Sequence, residues 1–99
     1  MPVVVSLSWP HVTPDQYDAL SELVRYEADP PVGAVSHTAW ITESGLRAVD
    51  VWRSQQDFER FADDRLMTAA VQVPGFHGEP MVKFHALQAH MLVPATADV

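Results

Sequence analysis

The sequence predicts a single α+β domain in the order βαββαβ, with a four-stranded antiparallel sheet covered on one face by two helices. The first observation is the length of 99 residues, which suits one domain. The second is the composition, since 47% hydrophobic and 19% charged residues favour a packed core over disorder. The third is the order of apolar runs and amphipathic segments, which is that of a split βαβ arrangement.

The first part of the chain predicts a strand and a helix. Residues 2–9 are apolar and rich in β-branched side chains, which is typical of a buried strand. Thr13 and Gln16 have the spacing of a capping box, and Pro14 suits the first helical position. A proline pair at 30–31 is expected to stop this helix. Its apolar face is expected to carry Tyr17, Leu20, Leu23 and Val24.

The remaining chain predicts a hairpin, a second helix and a last strand. Residues 34–42 and 46–53 are strand-like runs separated by a short turn that contains glycine. Ser54 is expected to cap the second helix, and residues 81–93 are expected to form the last strand. We therefore assign residues 1–93 to one domain and residues 94–99 to a flexible C-terminal tail. The apolar face of the second helix comprises Phe58, Phe61, Ala62, Leu66 and Ala69.

The two faces of the predicted hairpin differ in chemistry. With Ser44 and Gly45 as the turn residues, His37 and Asp50 share one face as diagonal neighbours, within reach of each other. The opposite face is left uncovered by helices, and its apolar members are Trp40, Val49 and Val51, beside Thr38, Thr42 and Arg47. Because exposed apolar patches of this kind usually mark an interface, we expect a homodimer formed through the open sheet face.

Charge and residue usage exclude several classes of function. Six Lys and Arg residues face 13 Asp and Glu residues, so the net charge is −7 and neither nucleic acid nor an anionic membrane is an expected partner. No apolar run is long enough to span a bilayer, and residues 1–9 lack a basic leader, so a cytoplasmic protein is expected. The chain has no cysteine and no helical pair of histidines at metal-binding spacing. We therefore expect no metal and no cofactor.

Residues 45–61, which read GLRAVDVWRSQQDFERF, carry a family resemblance. A strand that ends in Trp-x-Ser and leads directly into an amphipathic helix resembles the dimeric α/β-barrel superfamily. That group holds antibiotic-biosynthesis monooxygenases, haem-degrading oxygenases, muconolactone isomerases and small polyketide cyclases. The resemblance extends over about residues 2–92, and it implies a ferredoxin-like fold, a dimeric barrel and a pocket between helices and sheet within each subunit. It specifies the fold more narrowly than the function.

No subfamily fits residue by residue. The oxygenase members of this superfamily typically place an asparagine beside a tryptophan in the pocket, whereas this chain has Trp52 but no asparagine. The cyclase members place a tyrosine and a histidine on the second helix, where this chain has Phe61 and Met67. The resemblance therefore leaves the reaction open.

Six residues are candidates for a site. His37 is the candidate general base and Asp50 its orienting partner, because a buried carboxylate fixes the tautomer of an imidazole and raises its basicity. Trp52 and Phe61 are candidate walls of an aromatic pocket. Arg65 and His85 are candidate polar anchors for an anionic or phenolic oxygen. The alternatives are a structural His–Asp pair, an ion pair of Asp50 with Arg65, and an arginine that reaches solvent.

The leading hypothesis is a small-molecule enzyme doing acid–base chemistry of the cyclase or isomerase type. Its substrate would be hydrophobic, and aromatic or polyketide-like. The second hypothesis is a cofactor-independent monooxygenase of the antibiotic-biosynthesis type, in which the substrate carbanion itself activates O₂. The third is a non-catalytic, ligand-binding dimer.

Overall fold

The computed structural model describes residues 1–76 and 78–94 and has the predicted element order. One antiparallel sheet has the strand order β2-β3-β1-β4, which confirms the ferredoxin-like α+β fold. Residues 95–99, most of the predicted tail, lie outside the described residues. The elements are β1 Val3–Pro10, α1 Pro14–Val24, β2 Ala34–Thr42, β3 Gly45–Trp52, α2 Gln55–Phe61, α3 Met67–Ala70 and β4 Met81–Ala86, with a π-helical segment, Ala62–Leu66, between α2 and α3.

The starts of both helical stretches are confirmed. The Thr13 hydroxyl accepts a hydrogen bond from the Gln16 amide at 3.2 Å, and the Gln16 side-chain oxygen accepts one from the Thr13 amide at 3.0 Å. The Ser54 hydroxyl accepts from the Asp57 amide at 3.1 Å. The first helix ends before the proline pair, because Arg25 adopts a left-handed conformation with φ of 58°.

The second helical stretch contains an irregularity that the sequence pattern does not show. The Met67 amide donates to the Ala62 carbonyl, so the chain makes an i→i+5 turn. Phe61 and Leu66 are five residues apart, and the wide turn allows both to be buried. A regular helix over this stretch was predicted, and the π-helical segment corrects it.

The hairpin register also differs from the predicted one, by two residues. His37 lies directly opposite Asp50, and the two turn residues are Glu43 and Ser44. Gly45 begins β3 with φ of 130°, and a Cβ there would collide with the Trp9 carbonyl oxygen. The glycine therefore serves this close approach rather than the turn. Because the shift is even, each face keeps the residues that were predicted for it.

The last strand is shorter than predicted, since β4 covers Met81–Ala86 rather than residues 81–93. Its partner in the sheet is β1, which begins at Val3, opposite Ala86. Beyond that point one further backbone hydrogen bond joins the Leu87 amide to the Pro2 carbonyl at 3.4 Å. The neighbouring strand therefore sets the length of β4.

The core lies between the helices and one face of the sheet, and Trp9 and Trp52 are its largest fully buried side chains. On the open face, Trp40 and Val49 are 47% and 37% exposed. Val51, which was predicted to join them, is buried between β1 and β2 beside an irregularity in the β2 ladder. Within residues 1–76 and 78–94, no helix has the length and apolar character needed to cross a membrane.

Candidate functional site

A histidine and an aspartate face each other on the inner side of the hairpin. The Nδ1 atom of His37 on β2 lies 2.6 Å from Oδ1 of Asp50 on β3. Asp50 is only 6% exposed, whereas a quarter of the His37 side-chain surface reaches solvent. The pair is therefore anchored in the core at its carboxylate end and open at its imidazole end.

Asp50 accepts hydrogen bonds from three side chains. Besides His37, the Tyr26 hydroxyl donates to Oδ2 at 3.2 Å and the Trp52 indole N–H donates to the same oxygen at 3.0 Å. An ionised carboxylate accepts hydrogen bonds and cannot donate one, so all three partners are donors. His37 consequently carries its proton on Nδ1, and Nε2 is left as the acceptor.

A tyrosine completes a chain of hydrogen bonds. The Tyr17 hydroxyl, on the apolar face of α1, lies 2.7 Å from Nε2 of His37. The two rings are within 11° of parallel, which suits a bond in the plane of the imidazole. Tyr17, His37 and Asp50 thus form one continuous path for a proton.

Tyr26 covers the imidazole and holds the carboxylate. Its ring stacks on His37 with centroids 4.8 Å apart and meets Phe61 edge-on at 5.5 Å. Burial, and then the negative charge and hydrogen bond of Asp50, raise the pKa of the Tyr26 hydroxyl well above its usual value of 10.0. Tyr26 therefore remains a neutral donor at every physiological pH.

Two spaces meet at this cluster. An inner cavity of about 70 Å³ lies between sheet and helices and is lined mainly by apolar side chains, among them Leu7, Leu20, Leu46, Phe58 and Leu66. An outer cleft of about 740 Å³ lies between the C-terminal part of α1, the segment after it and β2. Four residues border both spaces and separate them: Tyr17, Ser21, Tyr26 and His37.

The predicted aromatic walls have different positions. Phe61 lines the inner cavity. Trp52 is completely buried and does not line it, because its indole nitrogen is turned toward Asp50. It contacts the site through the Asp50 carboxylate and through its ring, whose centroid lies 5.2 Å from that of Phe61 and 6.4 Å from that of Tyr26.

Arg65, a predicted anchor, does not reach the inner cavity. Its guanidinium donates to the Val24 carbonyl and, at 2.8 Å, to the Asp29 carbonyl, and it lies 5.9 Å from the Phe61 ring. The alternative pairing with Asp50 is not formed, since the carboxylate has three other donors. Arg65 lies in the π-helical segment and reaches across to the C-terminal end of α1, which it ties down.

His85, the other predicted anchor, lies on the open face of the sheet. Its Nε2 is 3.2 Å from the Ser6 hydroxyl. Side chains alternate along a strand, so His85 points away from its neighbour Phe84, which packs against the core. The structure therefore separates His85 from the His37–Asp50 pair.

Neither tyrosine of the candidate site was predicted from the sequence to belong to it. Tyr17 was placed on the apolar face of its helix, and a hydroxyl on such a face needs a partner, which is a usable signal. Tyr26 gave no signal, because its position depends on the left-handed conformation of Arg25.

The chemistry that this arrangement supports is proton transfer. In the described ranges, no three or more histidine and carboxylate side chains are grouped so as to hold a metal ion. A hydroxyl, an imidazole and a carboxylate in series resemble the arrangements that serve as general bases.

No protein-family model matches the chain, and no curated protein matches it. Solved structures do. SnoaB from Streptomyces nogalater, a cofactor-independent oxygenase solved as a mutant, matches with a TM-score of 0.60 and 15% identity over 91% of this chain and 95% of that one. A monooxygenase from the gene ActVA-Orf6 of Streptomyces coelicolor, solved with Nanaomycin D, matches with a TM-score of 0.58 and 23% identity over 94% and 92%.

A third structure is a dimeric ferredoxin-like protein of unknown function from Thermobifida fusca. Its TM-score is 0.60 at 14% identity, over 88% of this chain and 92% of that one. The fold is the ferredoxin-like fold of these proteins. At such identities the likeness is one of fold, and the chemistry has to be argued from this chain's own residues.

Proposed function

We propose that the protein is a small-molecule enzyme doing acid–base chemistry of the cyclase or isomerase type on a hydrophobic, aromatic or polyketide-like substrate. The observation that carries this proposal is the His37–Asp50 pair, held at 2.6 Å between an apolar cavity and an open cleft. His37 is the proton acceptor. Asp50 orients the imidazole and stabilises the imidazolium that forms.

The surroundings favour an aromatic substrate. Tyr17, Tyr26 and His37 present aromatic rings where the outer cleft meets the apolar inner cavity, and Phe61 packs edge-on against Tyr26. Trp52 and Arg65 support the site without lining it. Trp52 donates to the Asp50 carboxylate, and Arg65 binds the segment that carries Tyr26.

Cofactor-independent oxygenation is the second candidate, and the likeness to SnoaB and the ActVA-Orf6 monooxygenase favours it. It would share the same first step. Removal of a proton leaves an electron-rich carbanion or phenolate, and O₂ would take its electrons. The absence of asparagine from this chain separates it from the usual oxygenase pattern, which is why the acid–base proposal comes first.

Anthrone is a suitable probe, because it is a tricyclic ketone with an acidic methylene group. Under nitrogen in D₂O, we expect the protein to speed the exchange of methylene hydrogen for deuterium, followed by NMR. His37→Ala should slow the catalysed exchange by about 100-fold, the usual size of a general-base contribution. His85→Ala is the matched control and should keep the wild-type rate, because His85 lies on the other face of the sheet. Equal rates in the two variants would contradict the role of His37.

The same probe in air separates the candidates. Oxygen consumption with formation of anthraquinone and water indicates the oxygenase reaction, in which each anthrone consumes one O₂. Deuterium exchange without oxygen consumption indicates acid–base chemistry alone. Binding of anthrone with neither reaction indicates the non-catalytic, ligand-binding dimer.

A homodimer through the open sheet face is part of this proposal. The Thermobifida fusca protein of similar fold is described as dimeric. The exposed Trp40 and Val49 are the apolar groups that such a contact would cover.

A further inference from the structure

We propose that Tyr17 is the group that exchanges the proton with the substrate, and that the substrate reaches it from the cleft between α1 and β2. His37 receives, in the same step, the proton that the Tyr17 hydroxyl gives up. This inference rests on the proposed acid–base function, and it names the atom at which that chemistry begins.

Neither ring nitrogen of His37 is free to meet a substrate. Its Nδ1 is 2.6 Å from Asp50, and its Nε2 is 2.7 Å from the Tyr17 hydroxyl. One face of the ring is covered by Tyr26 at a centroid distance of 4.8 Å. A substrate cannot meet the base directly unless the Tyr17 hydroxyl is displaced.

The Tyr17 hydroxyl can still accept a hydrogen bond from a substrate. A phenolic oxygen donates one hydrogen bond and can accept others. Its donated bond goes to His37, and no second hydrogen-bond partner is present within the part of the chain that the structure describes. The residue borders both the inner cavity and the outer cleft, so a substrate on either side can reach it.

The proton transfer balances with these groups alone. The substrate C–H or O–H bond breaks, its proton moves to the Tyr17 oxygen, and the substrate keeps the electron pair as an enolate or phenolate. In the same step the Tyr17 O–H bond breaks and its proton moves to Nε2 of His37. Tyr17 is left neutral, and the imidazolium is stabilised by the Asp50 carboxylate, 2.6 Å from Nδ1. Reversal returns a proton to the product.

The sizes of the two spaces decide from which side a substrate reaches Tyr17. The inner cavity of about 70 Å³ is less than half the roughly 150 Å³ of a protein cavity that holds a benzene ring. The outer cleft of about 740 Å³ is within the roughly 300–1,000 Å³ range of small-molecule sites. An aromatic ring system therefore fits on the cleft side, with its reacting atom against Tyr17.

Tyr17→Phe tests the role of the hydroxyl, using deuterium exchange into anthrone under nitrogen. We expect the catalysed rate to fall by about 100-fold or more, while anthrone binding is retained. The opposite result is informative because the variant frees Nε2 of His37. If the imidazole meets the substrate itself, the rate stays the same or rises, and the proposal is overturned.

Tyr17→Ala provides a second test that does not depend on the phenylalanine variant folding well. Phenol added to this variant should restore part of the exchange, because it returns a hydroxyl to the vacated space. Benzene is the matched control, since it fills the same space without a hydroxyl. Equal rescue by phenol and benzene would show that Tyr17 acts only by packing, and would overturn its catalytic role.

Ala28→Trp tests the route of entry. Ala28 is exposed on the segment after α1 and lines the outer cleft, away from Tyr17 and His37 in sequence. A large side chain there should raise KM for anthrone at least tenfold while kcat changes little. An unchanged KM would contradict entry through this cleft.

Failure of the acid–base function and failure of the Tyr17 role give different results. If the wild-type protein does not speed exchange, the proposed acid–base function fails. If the wild-type protein speeds exchange and Tyr17→Phe does so equally well, only the role of Tyr17 fails.

Discussion

Tyr26 is a buried hydroxyl that donates to a buried carboxylate, and this pairing has a consequence for stability at alkaline pH. Burial, together with the Asp50 charge and hydrogen bond, raises its pKa far above 10.0. In the unfolded chain the same hydroxyl ionises near its ordinary pKa of about 10. The folded protein therefore keeps a proton that the unfolded chain releases.

The sign of the effect follows from this difference. The contribution of Tyr26 is fully present below pH 10 and is lost as the pH rises above it, by up to about 1.4 kcal/mol per pH unit. Tyr26→Phe should remove this component, so its free energy of unfolding should fall less steeply with pH than that of the wild-type protein. Urea unfolding between about pH 9 and pH 11.5 measures both slopes.

Tyrosinate absorbance supplies the control. The chain has two tyrosines, so in the wild-type protein one of them should ionise only as the fold is lost. In Tyr26→Phe this late component should be missing. Parallel stability curves for the two proteins would contradict the pairing of Tyr26 with Asp50.

At the level of single residues, the alternation of strand side chains was enough to place His37 and Asp50 on one face. Their direct pairing and the two tyrosines were not predictable in the same way. Tyr26 reaches the site because Arg25 adopts φ of 58°, a conformation that glycine or asparagine would have signalled and arginine does not. Side chains whose positions depend on an irregular backbone leave no periodic pattern in the sequence.

At the level of elements, the helical stretch over residues 55–70 contacts the segment that carries Tyr26 and fixes its position. The π-helical segment Ala62–Leu66 carries Arg65, whose guanidinium binds two carbonyl groups, those of Val24 and Asp29. These carbonyls lie at either end of the short segment that contains Tyr26. Arg65 thus fixes the position of Tyr26 without touching the imidazole–carboxylate pair.

Arg65→Gln should therefore be destabilising, by about 1–3 kcal/mol, because a charged donor to two carbonyl groups is lost. Amide hydrogen exchange over residues 25–29 should become faster. Arg60→Gln is the matched control, since Arg60 is exposed and makes only a 3.4 Å contact with Asp57. It should change the free energy of unfolding by less than about 0.5 kcal/mol. Equal effects of the two substitutions in urea unfolding would contradict the anchoring role of Arg65.

Helix and strand positions were predictable because apolar periodicity and caps are local signals. The π turn was not, because residues spaced as Phe61 and Leu66 are also compatible with a broad regular face. The turn residues of the hairpin were misplaced because Gly45 is the obvious turn former. The Trp9 carbonyl oxygen occupies the space that a side chain at position 45 would need. Tertiary contacts decided both cases.

At the level of the whole molecule, the two faces of the sheet have separate tasks. The inner face carries the hydrogen-bonded cluster, and the helices cover it. The open face carries Trp40 and Val49 in contact with solvent. A domain of this length buries only about 60–65% of the surface that its unfolded chain exposes, so covering a second face adds stability.

Trp40→Glu tests whether a second copy covers the open face. In size-exclusion chromatography with light scattering, the wild-type protein should have twice the molar mass of its 11.0 kDa chain. Tryptophan is the residue most often dominant in interfaces, where its loss typically costs about 2 kcal/mol or more. A charge buried in its place costs still more, so the variant should be monomeric at micromolar concentration.

Leu23→Glu is the matched control for that substitution. Leu23 lies on α1 and is 44% exposed, close to the 47% of Trp40, so both variants replace an equally exposed apolar side chain by a carboxylate. Only the one on the open sheet face should separate the subunits. A monomeric wild-type protein would show that the chain does not self-associate. A dimer that survives Trp40→Glu would show that its interface lies elsewhere. A dimer lost equally in both variants would show that added negative charge, on a chain already at −7, is what drives the copies apart.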